Sequence, residues 1–151
     1  MNSMILIGSL TIPSVSPLNL LQELYRENPW KMLVCCLFLN QTTRKQVDKI
    51  REEFFLRYPS PQDLLKTGDE EIEDLIKSLG FKRVRTQRLK RFSLEFISKE
   101  WKEPIELHGI GKYAQESWEI FQKLNFNVQP TDGALIDYLN WLEIYKTNGR
   151  N

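Results

Sequence analysis

The chain has 151 residues, 41% hydrophobic, 27% charged and 11% aromatic, which is enough apolar material for one globular core or two small lobes sharing an interface. Disorder, collagen and low-complexity repeats are excluded by that composition. Twenty-one Lys plus Arg against twenty Asp plus Glu leave a net charge of +1, so the overall balance names no partner, and no run approaches the roughly 18 apolar residues of a membrane-spanning helix.

The opening Met4-Ile5-Leu6-Ile7 is apolar without a basic flank, which argues against a secretory signal and leaves a short strand or a packed arm; residues 1–17 read as a partly ordered N-terminal arm. Past Pro17 apolar residues recur at helical spacing and breaks fall at turn residues, so an all-α chain is expected. A first helix covers Leu18 to Glu27, and Asn28-Pro29 stops it and starts the next, with Pro29 at the first helical position. The second, Trp30 to Leu39, is strongly apolar. Its adjacent Cys35 and Cys36 have neither disulfide geometry nor metal-ligand spacing and read as small hydrophobes in a reducing compartment. An amphipathic helix follows over Arg44 to Arg57, with Val47, Ile50, Phe54 and Phe55 inward. Ser60-Pro61 caps a short helix over Gln62 to Lys66, Gly68-Asp69 opens another through Ser78, and Gly80 is a left-handed C-cap. A longer helix spans Arg83 to Lys99, and further helices run from the Gly-rich stretch at 109–111 to Leu124 and from Ala134 to Tyr145, the last followed by a short tail at 147–151.

Two stretches carry chemistry. Leu107-His108-Gly109-Ile110-Gly111-Lys112 has two glycines one residue apart at a helix start, a geometry that turns the backbone tightly and presents several N–H groups to an anion. A ligand-free helical hairpin fits the same six residues. It is not a dinucleotide fingerprint, since no strand precedes it and the third glycine is missing. Nineteen residues past Tyr113, Pro130-Thr131-Asp132-Gly133 places a carboxylate at another helix start, where Asp132 by itself reads as an N-cap. Six cations, Lys82, Arg83, Arg85, Arg88, Lys90 and Arg91, fall within ten residues without an intervening acid, directly after the acidic Asp69, Glu70, Glu71, Glu73 and Asp74. The near-neutral total therefore hides a polarised surface, suited either to duplex backbone or to a solvated helix face.

Taken together, the hairpin and the Pro/Gly-flanked aspartate resemble the helix-hairpin-helix Gly/Pro-Asp superfamily of DNA base-excision glycosylases. The stretches Asn28-Pro29-Trp30-Lys31, Phe38-Leu39-Asn40-Gln41-Thr42, Leu79-Gly80-Phe81 and Trp101 to Tyr113 are similar to the branch of thymine/uracil mismatch glycosylases that includes the excision domain of methyl-CpG-binding domain protein 4. The likeness runs through residues 18–143 and implies a glycosylase domain over 18–146: an all-α helix-hairpin-helix fold with two helical lobes flanking a DNA-binding cleft. It further implies a nuclear monomer that binds double-stranded DNA bearing a G·T or G·U mispair, CpG sites among the contexts, with no membrane association.

By the resemblance, Asp132 is the catalytic carboxylate, which stabilises the positive charge developing on the sugar and orients the attacking water. Gln22 and Tyr113 read the flipped pyrimidine; Gln41 fills the vacated stack where the family has Arg; Phe81 is an apolar wedge. His108, Gly109, Gly111, Lys112 and Thr42 contact DNA phosphates. Strand-cutting members carry a Lys nucleophile two places past the second hairpin glycine. Tyr113 stands there, and Lys112, one position early, is expected to point elsewhere, so a monofunctional enzyme is expected. The four-cysteine iron–sulfur loop of some relatives has no counterpart, and no metal or other cofactor is expected as a requirement. Some family hairpins hold a monovalent cation on backbone carbonyls, here those near Ile105, Leu107 and Ile110. Two rival readings stay open: a DNA-binding module without excision, and a same-fold glycosylase for another damaged base.

Overall fold

The computed structural model describes residues 3–148. Eight α helices carry the described chain: α1 (Leu21–Leu24), α2 (Pro29–Phe38), α3 (Arg44–Arg57), α4 (Pro61–Leu65), α5 (Asp69–Ile76), α6 (Lys82–Ser98), α7 (Lys112–Phe121) and α8 (Gly133–Asn148). Residues 149–151, most of the expected C-terminal tail, lie outside the described residues.

Helix starts follow the residues that satisfy orphan amides. Asn28 accepts from Lys31 N–H with Pro29 at the first position, Thr43 and Gln46 form a reciprocal capping box, and Ser60 accepts from Asp63 N–H ahead of α4. Helix α2 is buried almost all round, Trp30 and Met32 through Phe38 included, and is the axle of the core. Both cysteines are free and buried. Helices α1, α3, α6 and α7 pack on it, and α4 and α5 pack on α6.

The N-terminal arm takes the strand alternative, and two local expectations change. The N-terminal arm is an antiparallel hairpin, β1 (Met4–Ile7) paired with β2 (Leu10–Pro13), turned at Gly8 with φ +62°. Its alternation is hidden in the sequence because both faces of Met4 to Ile7 are apolar; Ile12, fully buried, ties the hairpin to the core. The first helix shrinks to one turn because the buried Glu23 carboxylate accepts from the amides of Ser16, 2.7 Å, and Leu20, 2.8 Å, holding residues 16–20 in a loop. At the end of α5, which a 3-10 turn over Lys77–Leu79 extends, Gly80 has φ +80° with an extended ψ of 162°, and the left-handed residue is Phe81, φ 52° and ψ 41°.

Arg85 is the largest departure. Expected on the cationic surface, it is 5% exposed and donates to the carbonyls of Leu37, Asn40, Leu79 and Gly80. One guanidinium thereby closes the end of α2 against the start of α6, since planar forked donors suit several carbonyls at once. Lys90 is also engaged, to Thr67 O and to Asp69.

Candidate active site

A cleft of about 690 Å³ opens among the start of α1, the end of α2, the loop after it, the glycine hairpin and the start of α8. Eight of the ten residues singled out in the sequence line it: Gln22, Gln41, Thr42, Gly109, Gly111, Lys112, Tyr113 and Asp132. Phe81 and His108 are not among its walls.

The hairpin enters through a 3-10 turn, Pro104–Glu106, and Ile110 N–H closes back on Leu107 O. Gly109 takes φ +83°, and a side chain there would meet Arg88 Cγ at 2.7 Å, so both conformation and space require glycine. Helix α7 starts from Gly111 without a side-chain cap, and the amides of Gly109, Gly111 and Lys112 donate to no described residue. Three free N–H groups at the start of a ten-residue helix form a cradle for an anion. The His108 amide is not one of them, because it donates to Glu95 Oε1 at 2.9 Å. Thr42 is also engaged internally, its hydroxyl donating to Phe38 O and its amide to Leu39 O.

Across the cleft, Gln22 is 2% exposed, and its Nε2 donates to the Tyr113 hydroxyl at 2.6 Å and to Ser117 Oγ at 3.1 Å. Its carbonyl oxygen takes no hydrogen bond from a described residue and remains free to accept one. Burial pushes the Tyr113 phenol far above its usual range, and the Asp132 carboxylate adds to the effect, so the hydroxyl keeps its proton at any working pH. Burial likewise pushes the neighbouring Cys36 thiol up to about 12. Ser117, which ties Gln22 to α7, is a contributor that no motif exposed; its only sequence signal is its place four residues after Tyr113, one helical turn on.

Asp132 combines two readings. Its Oδ2 accepts from Leu135 N–H at 3.0 Å and its carbonyl accepts from Ile136, which makes it the N-cap of α8, while its half-buried side chain lines the cleft with the hairpin. Lys112, the first residue of α7, is exposed and contributes to the cleft wall beside Tyr113.

Gln41 lines the cleft and Phe81 does not. Both are exposed, both have positive φ, 59° and 52°, and they share a hollow of about 180 Å³ with Asn40 and Val84. Non-glycine residues in that region carry backbone strain that the surrounding structure must hold in place. Among the described residues no group of three or more His, Cys, Asp or Glu could hold a metal ion. At the hairpin carbonyls, Leu107 O is taken by Ile110 N–H, and the Lys99 ammonium donates to the adjacent Glu106 O at 2.7 Å, so a cationic group already stands beside this turn.

Residues 34–151 match the family model of the HhH-GPD superfamily of base excision DNA repair proteins. The chain is 38% identical over 134 residues to a methyl-CpG-binding domain protein 4-like protein of Arabidopsis thaliana, covering 88% of this chain and 30% of that one. It is 40% identical over 94 residues to the thymine/uracil-DNA glycosylase of Pyrobaculum aerophilum, covering 58% of this chain and 41% of that one. Among solved structures, a thermostable thymine-DNA glycosylase superposes with a TM-score of 0.59 at 28% identity, over 64% of this chain and 49% of the other. The chain thus spans less than half the length of each of these relatives. With the hairpin, the capped aspartate and a mostly helical architecture on one cleft, the chain belongs to the HhH-GPD superfamily of base excision DNA repair proteins.

Proposed function

We propose that this chain is a monofunctional DNA glycosylase that flips thymine or uracil mispaired with guanine, at CpG among other contexts, and excises it to leave an abasic site. The observation that carries the reading is the single cleft on which the Asp132 carboxylate, the free amides of the hairpin and the Gln22–Tyr113 pair converge. The similarity to proteins named thymine/uracil-DNA glycosylases supports it.

The chemistry follows from the donors and acceptors left over. A base inside a duplex is out of reach, so the nucleotide is extruded at a cost of a few kcal/mol, least for a mispair. Gln22 Nε2 is used on Tyr113 and Ser117, which leaves the amide an acceptor; Tyr113, accepting from Gln22, has its own proton to give. One acceptor beside one donor matches the N3–H and carbonyl edge shared by thymine and uracil. Cytosine presents an acceptor at N3 where thymine and uracil present a donor, so it cannot pair with Gln22 and Tyr113 in the same register. The hairpin amides hold the strand, and Asp132 faces the sugar as positive charge develops, stabilising it and orienting the water that completes hydrolysis. The base leaves with its bonding electron pair, the water oxygen bonds to the sugar carbon, and the proton the water gives up neutralises the departed base.

The test is an incubation with end-labelled duplexes carrying G·T, G·U, G·C or 8-oxoguanine, with and without hot alkali. Strand breaks at G·T and G·U that need alkali support the proposal. Breaks at 8-oxoguanine alone reassign the substrate, and DNA binding without breaks leaves a module. Because Lys112 lines the cleft, borohydride is added in parallel; a trapped covalent adduct overturns the monofunctional assignment.

A further inference from the structure

The cations of α6 divide into two groups. Arg85 is buried, while Lys90 and Arg91 are paired with Asp69 and Glu95. Lys82, Arg83 and Arg88 make no ion pair and no side-chain hydrogen bond among the described residues, and Arg83 and Arg88 line a channel of about 470 Å³ with Val84, Gln87, Arg91 and His108. No carboxylate is among its walls. The beside-lying Glu95 is already engaged by the His108 amide and by Arg91.

Arg88 is held in a particular way. Its Cγ and Cδ would lie 2.7 and 2.9 Å from a Cβ on Gly109, so its stem is pressed on the bare backbone of the hairpin turn. The same side chain also lines the hollow containing Gln41 and Phe81. Arg88 therefore stands where three features meet: the exposed wedge, the hairpin and the carboxylate-free channel. Like charges crowd there: Arg85 is held below its ordinary range by burial first and by Arg88 in addition, and His108 by burial first, then by Arg91 and least by Arg88. Cations gathered without counter-charge suit a polyanion.

We infer that the channel between α6 and the glycine hairpin is a second binding track for the phosphodiester backbone of duplex DNA, continuing from the Phe81 wedge, with Arg88 as its anchoring cation and Gly109 left bare to seat that arginine. This rests on the proposed action on duplex DNA and adds to it a residue and a surface that the hairpin motif does not contain. At position 41 the chain offers a neutral amide, so Arg88 is the cation on the described walls of the wedge hollow that is free to reach a phosphate; Arg85, the other, is committed to carbonyls.

The experiment measures equilibrium binding of the full chain to G·T-mispaired and fully paired duplexes across salt, for the parent, Arg88→Gln, Arg88→Lys and Gly109→Ala. Arg88→Gln keeps the stem and removes the charge. It is expected to weaken binding to both duplexes by a similar factor, about tenfold at 0.1 M salt, and to lower the slope of log affinity against log salt by about 1. Arg88→Lys is expected to keep the slope, and Gly109→Ala to lose affinity with Arg88 still present. Unchanged slope and affinity in Arg88→Gln overturn the track while leaving the glycosylase reading untouched. The expected slope change in a chain that excises nothing supports the track and overturns excision.

Discussion

At Asp132 one carboxylate oxygen accepts from the Leu135 amide while the side chain stays half buried on the cleft wall, so stability and chemistry draw on different properties of the same group. The cap needs an oxygen acceptor; the chemistry needs a charge. Asp132→Asn is therefore expected to retain the cap and unfold within about 2 °C of the parent, while excision falls at least about 100-fold. Asp132→Ala is expected to lose excision equally and to cost about 1 kcal/mol besides, a drop of a few degrees by calorimetry. At this scale Asp132 was legible because motif spacing marks it, and Gln22 and Tyr113 only through the family resemblance. The engagement of Thr42 and of the His108 amide was not, since their acceptors, Phe38 O and Glu95, are revealed only by the folded backbone.

The junction of α5 and α6 shows what an element boundary demands. Gly80 combines φ +80° with an extended ψ, a region that is nearly glycine-only, and Phe81 follows in the left-handed region. A Cβ at Gly80 would meet nothing within 4 Å, so the cost of Gly80→Ala is backbone strain alone, about 1–3 kcal/mol in urea unfolding with an unchanged m-value. Arg85→Met, by contrast, leaves the Leu37, Asn40, Leu79 and Gly80 carbonyls without their donor and is expected to cost about 2–4 kcal/mol. Helix positions were readable from apolar period and caps, α3 to the residue. The strand pair was not, because Met4 to Ile7 is apolar on both faces and alternation needs contrast. Nor could a run of six cations say which of them turns inward; that depends on where the carbonyls at the end of α2 fall.

Across the whole molecule the hairpin is docked on α6 by two contacts, Glu95 to the His108 amide and the Arg88 stem over Gly109. The His108 amide first, and Arg91 in addition, hold the Glu95 carboxyl below its ordinary value of 4.5 against the opposing effect of burial. A depressed carboxylate contributes stability that is fully present above its unfolded value and is lost as pH falls through the folded one. The unfolding midpoint of the parent is thus expected to exceed that of Glu95→Gln at pH 6–7, with the difference shrinking only below about pH 4.5. A constant difference down to pH 3 would remove the ion from the docking argument.

The order of helices, their caps and the candidacy of Asp132 and the glycine hairpin follow from the amino-acid sequence, because each depends on neighbours within a few residues or on a spaced motif, while Gln22 and Tyr113 became candidates through the family resemblance. Convergence of eight of those positions on one cleft, the inward turn of Arg85, the presence of Lys112 on the cleft wall and the seating of Arg88 on Gly109 were decided by tertiary structure. The reason is physical. A side chain's acceptors, counter-charges and free volume are supplied by segments tens of residues away, and no local pattern records which of them will arrive.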